Sequence, residues 1–299
     1  MSVLMHEKTR VQLGRINGSR SGSFLFYGPE SVGKATAACE LARRLACPAR
    51  HDQPDPACPV CRAFVNGSWP DFQLLSALER PSITIEQVRQ LSAALAGRAY
   101  QPQNVRMALI NDAHRLTIDA QNALLKLIEE PPPATIIVLV TTSPEQLLDT
   151  IRSRCVAIFF PPPPASTVAG FIAARTPGLT PVAAAELVAT AGGLPGAALK
   201  LAGDPEQAGI GQALAAAATA VSNQPLFERL FGAARLIEAK ADLWRFGLLL
   251  QQTLVSDIRA GRLTPAETAR SLTALEQFRR GLAAKITPRI VLERLMVEF

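Results

Sequence analysis

Aromatic residues are scarce in this 299-residue chain, at 5%, and nowhere do they alternate with basic residues. That removes the stacking platforms on which non-specific single-strand nucleic-acid binders rely. No apolar run approaches the ~20 residues needed to span a bilayer, and the N-terminal stretch has no signal-peptide core. The expectation is a cytoplasmic protein with no membrane partner. Cysteine is also sparse, and in a cytosolic chain five of them favour metal binding or burial over disulfides. The formal charge of +6 permits contact with nucleic acid without demanding it. Arginine greatly outnumbers lysine, which suits two-pronged contacts with phosphate or carboxylate. What the chain does have is 48% hydrophobic residues, enough for real cores in two or three domains at this length.

The stretch from Met107 to Cys155 organises the rest. Val105 to Ile110 is a short apolar run ending on Asn111-Asp112, a buried strand that brings a carboxylate to its C-terminal tip. Thr117 caps a helix whose residues Ala120, Ala123, Leu124, Leu127 and Ile128 share one face. Pro131-Pro132-Pro133 stops that helix. Thr135 to Val140 is a second buried strand, ending on Thr141-Thr142. Val156 to Phe160 is a third, directly after Ser153-Arg154-Cys155. The plan is an open parallel sheet carrying a site at its carboxyl edge.

Upstream, Phe24 to Tyr27 reads as a buried strand running into Gly28-Pro-Glu-Ser-Val-Gly33-Lys34-Ala35-Thr36, close to the phosphate-cradling pattern GxxxxGK[ST]. Such a loop turns backbone N–H groups onto phosphates while the lysine reaches the outer ones. The hydroxyl that should meet magnesium is missing at Ala35, and Thr36 points about 100° further round the helix. Two readings stand: a weak nucleotide or anion site, or a loop whose glycines only make the turn. Cys39 lies among small apolar residues of the following helix and reads as core. Cys47 and the Cys58-x-x-Cys61 pair, in a Pro-rich insertion at 47–61, have the ligand spacing of a structural zinc loop. His51 is the one nearby residue able to complete a Cys3His set; the alternative is a loop with three free thiols. Asp71 to Leu75 reads as another strand. Thr84 with Gln87 forms a capping box for a helix burying Ile85, Val88, Leu91 and Leu95.

Pro161 to Pro164 is a hard boundary. Beyond it come Ala-rich helices at Val168–Ala174 and Pro181–Thr190, and a third opened by Gly192-Gly193-Leu194-Pro195. A linker follows over Gly203–Gly211. From Gln212 onward the periodicity is helical, with breaks at Pro225, Pro265 and Pro288 that leave room for four or five helices.

Two phrases carry a family resemblance: Asn122-Ala123-Leu124-Leu125-Lys126 with Glu129-Glu130-Pro131-Pro132, and Ser153-Arg154-Cys155. Together they closely resemble the clamp-loader subunits of bacterial DNA polymerase III, members of the AAA+ superfamily. The resemblance implies an α/β AAA+ domain over residues 1–163 with the Cys-rich insertion, a helical lid over 164–205 and an all-α collar over 210–299. It implies that Arg154 of the Ser153-Arg154-Cys155 motif reaches across to a neighbour's ATP, with Arg152 as the alternative finger. Asp112 would help hold magnesium, and Thr142 stands beside Thr141 where the family keeps a polar sensor of the terminal phosphate. The family's cysteine module has four cysteines, and Phe64 occupies the fourth position here.

Three positions depart from the hydrolytic pattern. Ala35 lacks the hydroxyl, Ala113 follows Asp112 where a water-activating glutamate is expected, and Pro195 stands near the place of a nucleotide-contacting arginine. Such losses resemble the delta-prime class rather than the tau or gamma motor class. The implied partners are three motor subunits and delta in a heteropentameric ring, with the sliding clamp and primed DNA reached through the complex. The rival expectation is a competent ATPase in which Thr36 supplies the hydroxyl and His114 or water replaces Ala113.

Overall fold

Apolar runs without alternation need cover on both faces, and here they build one parallel sheet. A computed structural model describes residues 4–16, 20–49, 53–77, 81–97, 99–100, 105–203, 213–221, 224–238, 243–284 and 286–299. The strands are β1 (Gly22–Tyr27), β2 (Phe72–Leu75), β3 (Arg106–Ile110), β4 (Thr135–Thr141) and β5 (Val156–Phe159), in the order β2-β3-β4-β1-β5. All of β3 and β4 is buried. Tyr27 is level with both Thr141 and Phe159, and Ile110 with Leu139, so the strands end together along one carboxyl edge.

The helices of this unit are α1 (Glu7–Ile16), α2 (Lys34–Ala46), α3 (Pro59–Val65), α4 (Ile85–Ala96), α5 (Ile118–Glu129) and α6 (Asp149–Arg154). The Thr84–Gln87 capping box opens α4, and the Thr117 hydroxyl accepts from the Ala120 amide at 3.2 Å to open α5. Their apolar faces, including Val88, Leu91, Leu95, Leu124 and Leu127, close over Ala108, Ile110, Ile137 and Leu139 of the sheet. The buried guanidinium of Arg106 ties the other ends of these two helices. It donates to the Leu95 carbonyl in the last turn of α4, to the Gly97 carbonyl just after it and to the Pro133 carbonyl after α5, a cation where helix dipoles favour one. Two short helices, α3 and α6, run where the sequence suggested a Pro-rich loop and a bare motif. Helices of six or seven residues are too short for a 3.6-residue period to show.

The chain divides into compact units at Met1–Pro163 and Pro164–Phe299. The second is helical: α7 (Ala165–Ala173), α8 (Pro181–Thr190), α9 (Pro195–Gly203), α10 over 213–221, α11 (Leu226–Glu238), α12 (Leu243–Arg259), α13 (Pro265–Ala283) and α14 (Pro288–Glu298). Pro181, Pro265 and Pro288 open helices at a position whose N–H has no intrahelical partner. Phe246 meets Phe278 edge-on in the core, packed with Leu250, Leu275 and Leu292. The α8–α9 turn abuts α12, where Arg245 donates to the Thr190 carbonyl. The linker expected at 203–211 lies almost wholly outside the described residues. Among the described residues no single helix is long and apolar enough to cross a membrane.

One glycine at the sheet edge is fixed by sterics. Gly28 has φ 145°, and a Cβ there would stand 2.5 Å from the Phe160 carbonyl oxygen. Gly28→Ala should therefore destabilise the fold by about 2–3 kcal/mol, read from urea unfolding midpoints. An unchanged midpoint would contradict this packing.

Candidate functional site

The loop after β1 gets its shape from backbone conformations that favour glycine. Gly33, at φ 101° and ψ 18°, forms the N-cap of α2. Lys34 follows at the first position of the helix and is only 6% exposed, which puts its ammonium inside the loop rather than in water. There it donates to the carbonyls of Gly28 at 2.8 Å and Pro29 at 2.5 Å. Burial pushes its pKa down to about 8, although Glu30 and Asp112 pull the other way. The loop thus holds a desolvated cation whose nearby carboxylates do not fully compensate it, an arrangement that a phosphate would relieve. Thr36 is exposed on α2.

At the next strand tip the structure ends the strand where the apolar run of the sequence ends, at Ile110. β3 ends at Ile110, so Asn111 and Asp112 leave the tip, and the Asn111 amide donates to the Asp112 carboxylate at 3.2 Å. Asp112 has a left-handed backbone, φ 54°, which turns the chain into a single 3-10 turn over Ala113–Arg115. Ala113 is fully buried in the core. A longer side chain at 113 would face that core. A neutral amide and one carboxylate stand at the tip.

His114 lies beside Asp112, and its Nδ1 is 3.3 Å from the Thr141 hydroxyl. Burial holds its pKa below the usual histidine value, so the ring is neutral near neutral pH. Thr141 also accepts from the Ser143 amide at 3.0 Å and is buried, whereas Thr142 is exposed. The edge therefore groups Gly28, Lys34, Asp112, His114 and Thr141, and leaves Thr36 and Thr142 with their side chains in solvent.

Arg154 occupies the last position of α6. Its Nε lies 2.6 Å from the Glu129 carboxylate, and its Nη1 donates to the Thr150 carbonyl at 3.2 Å. Ser153 is exposed and donates to the same carbonyl at 3.2 Å, while Arg152 is paired with Asp149. The ion pair joins the two phrases that carried the resemblance, which lie on different elements. Gln121, which the sequence reading passed over, sets where α6 begins. Fully buried, its Nε2 donates to the Leu116 and Gln146 carbonyls at 3.3 and 3.2 Å. Its Oε1 accepts from the Leu148 amide at 2.8 Å. The available signal was an amide directly beside Ala120, on the face that turns into the core.

The three cysteines of the insertion come together. Cys47 Sγ is 3.8 Å from Cys58 Sγ and 3.9 Å from Cys61 Sγ, with all three within 4.8 Å of one another. Thiolates at 2.3 Å from a tetrahedral ion would be separated by about 3.8 Å, so this cluster could hold a metal ion. Arg43 Nη1 donates to Cys61 Sγ at 3.2 Å. Phe64, half-buried, packs on Trp69 and Phe72 with ring centroids 5.7 and 5.6 Å apart, at the position where the resemblance implies a fourth cysteine. His51 lies outside the described residues. Cys155 is buried and its thiol is pushed up to about 12; burial likewise raises that of Cys39. Both remain thiols, as packing residues do.

A family model described as "DNA polymerase III, delta subunit" matches residues 8–164. The chain is similar to the DNA polymerase III subunit delta' of Pseudomonas aeruginosa, 34% identical over 60% of this chain and 56% of that protein. It is 39% identical to the Haemophilus influenzae subunit delta' over 38% of this chain and 35% of that one. It is 29% identical to the Bacillus subtilis subunit tau over 55% of this chain and 29% of that one. The chain thus spans about half or less of these relatives' lengths. Among solved structures, a gamma subunit-related protein of Thermotoga maritima aligns over 97% of this chain and 98% of its own, at 20% identity and TM-score 0.44.

The buried lysine gives the loop a pH signature. The unfolded chain holds the Lys34 proton up to the ordinary value of 10.5, whereas the folded chain releases it near 8. Between these values the unfolded state binds more protons, so Lys34 makes stability rise with pH across that window. Lys34→Met should remove that part of the rise when urea unfolding is compared at pH 7.5 and about 10. Parallel pH profiles for the two proteins would mean that the ammonium is not desolvated in the loop.

Proposed function

The chain belongs to the DNA polymerase III delta-subunit family, and from that premise we propose that it works as a delta-prime-type clamp-loader subunit that lends Arg154 to a neighbour's ATP without hydrolysing ATP itself. The observation that carries this reading is Arg154 itself, a guanidinium at a helix end, 43% exposed and paired with Glu129. Guanidinium is planar, always charged and lightly hydrated, which suits contact with developing phosphate charge. An arginine supplied in trans contributes roughly 10³- to 10⁵-fold in rate in phosphoryl-transfer systems.

The chain's own edge is poorly equipped for hydrolysis. Magnesium in such sites is held by a hydroxyl after the lysine and by acidic residues at the strand tip. Here Ala35 offers no hydroxyl and Asn111 no charge, while Lys34 is engaged by the loop's own carbonyls. A nucleotide bound between Gly28, Gly33 and Lys34 would therefore be held and not turned over. Within the helical unit we assign residues 164–205 as the lid and 210–299 as the collar. The partners are tau- or gamma-type motor subunits and delta in a heteropentameric ring. Through it this cytoplasmic chain supports loading of the sliding clamp onto primed DNA.

We assign zinc to Cys47, Cys58 and Cys61. Zinc there supplies a cross-link and no chemistry, holding the end of α2 to the start of α3. The Arg43 contact to Cys61 offsets part of the thiolate charge. His51 is the proposed fourth ligand.

The isolated chain should show no ATP turnover above background. Added to motor subunits and delta, it should raise clamp-dependent ATPase. Arg154→Ala should lower that ATPase at least about tenfold in complexes of equal composition, since one transition-state contact exceeds ~1.4 kcal/mol. Motor-like turnover by the chain alone, abolished by Lys34→Ala, would show instead a competent ATPase.

Protein purified without chelator should carry close to one zinc per chain by elemental analysis, and Cys61→Ser should lose it. A metal-free, fully folded protein would overturn the zinc assignment. Unchanged zinc in His51→Ala would move the fourth ligand elsewhere.

A further inference from the structure

We infer that Glu129 is the positioning residue of the Arg154 finger, an inference that rests on the trans-acting reading of Arg154. Glu129 is the last residue of α5, fixed there because Glu130 ends the helix and Pro131 follows. A carboxylate in the last turn runs against the helix dipole, which favours cations there. A residue that breaks a local rule needs a compensating partner, and here it is a guanidinium from another helix. The side chains are 43% and 45% exposed, and an ion pair so open to water contributes little to stability. What the contact fixes is direction.

The guanidinium has five N–H donors in a rigid fork. Among the described residues, Glu129 takes the Nε side and the Thr150 carbonyl takes one donor on Nη1. Both donors on Nη2 and the second on Nη1 are left for a partner. That is the edge with which arginine grips two oxygens of a phosphate at once. With Nε tethered to α5 and Nη1 tethered to α6, the plane of the fork is set before any neighbour arrives. Little conformational entropy is then lost on contact, which is how preorganised groups act in a transition state. Gln121 supports the same arrangement from beneath, because it holds the chain entering α6 to the opening turn of α5.

The test is a double-mutant cycle in the assembled complex of this chain with its motor subunits and delta, read as clamp-dependent ATPase. Glu129→Ala should lower kcat about threefold or more with KM for ATP unmoved, since Glu129 does not touch the nucleotide. Glu129→Gln keeps the length of the side chain and an oxygen beside Nε, and should retain most of the activity. In the Arg154→Ala background, Glu129→Ala should have no further effect, because it acts only through Arg154. Unfolding midpoints of the isolated variants should match the parent within error. If Arg154→Ala lowers activity but Glu129→Ala does nothing, or acts equally in both backgrounds, the positioning role is wrong while the finger stands. If Arg154→Ala itself leaves the ATPase unchanged, the finger reading fails and this inference fails with it.

Discussion

The burial of β4 is the constraint from which the rest follows. Its seven residues, Thr135 to Thr141, are buried throughout and pair with β1 on one side and β3 on the other. A strand enclosed in this way can place its polar groups only at its ends, and parallel pairing brings the ends of its neighbours to the same edge. The Lys34 loop after β1, the Asn111-Asp112 tip after β3 and the buried Thr141 at the end of β4 are thus neighbours by geometry. Gly28 is held to glycine because the Phe160 backbone, just beyond β5, closes on it. The fold brings these polar groups to one edge before any ligand chemistry is chosen.

At that edge the electrostatics are one-sided. A buried lysine is partly offset by Glu30 and Asp112, while His114 stays neutral and the amide of Asn111 carries no charge. Such a site is suited to an anion. Arg154 stands apart from this edge at the end of α6, paired with Glu129 of α5.

Much of this was legible in the sequence where local rules and burial agree. Thr117 and Thr84 with Gln87 announced their helices because caps are local chemistry, and the apolar run of β4 needed no context. The Ser153-Arg154-Cys155 motif pointed to Arg154 directly. The tip of β3 was harder. Apolar patterning ended the strand at Ile110, as found, but it does not show the left-handed turn at Asp112 that precedes the buried Ala113. Thr141 and Thr142 were indistinguishable for a similar reason, since which of two adjacent threonines faces inward depends on where the strand stops. Gln121 and Glu129 were invisible as functional groups because their partners come from segments 25 or more residues away. The cysteine cluster was readable from spacing alone, while Phe64 required the structure to show that it packs on Trp69.

The most direct test isolates the single site that Arg154 is proposed to complete. A complex would be assembled in which every motor site except the one adjoining this chain is disabled. Single-turnover hydrolysis of bound ATP would then be followed by rapid quench. With Arg154→Ala, ATP should still bind that site, and the chemical step should slow by roughly 10³-fold or more. An unchanged single-turnover rate at that site would contradict the trans-acting finger and leave the chain a structural member of the ring.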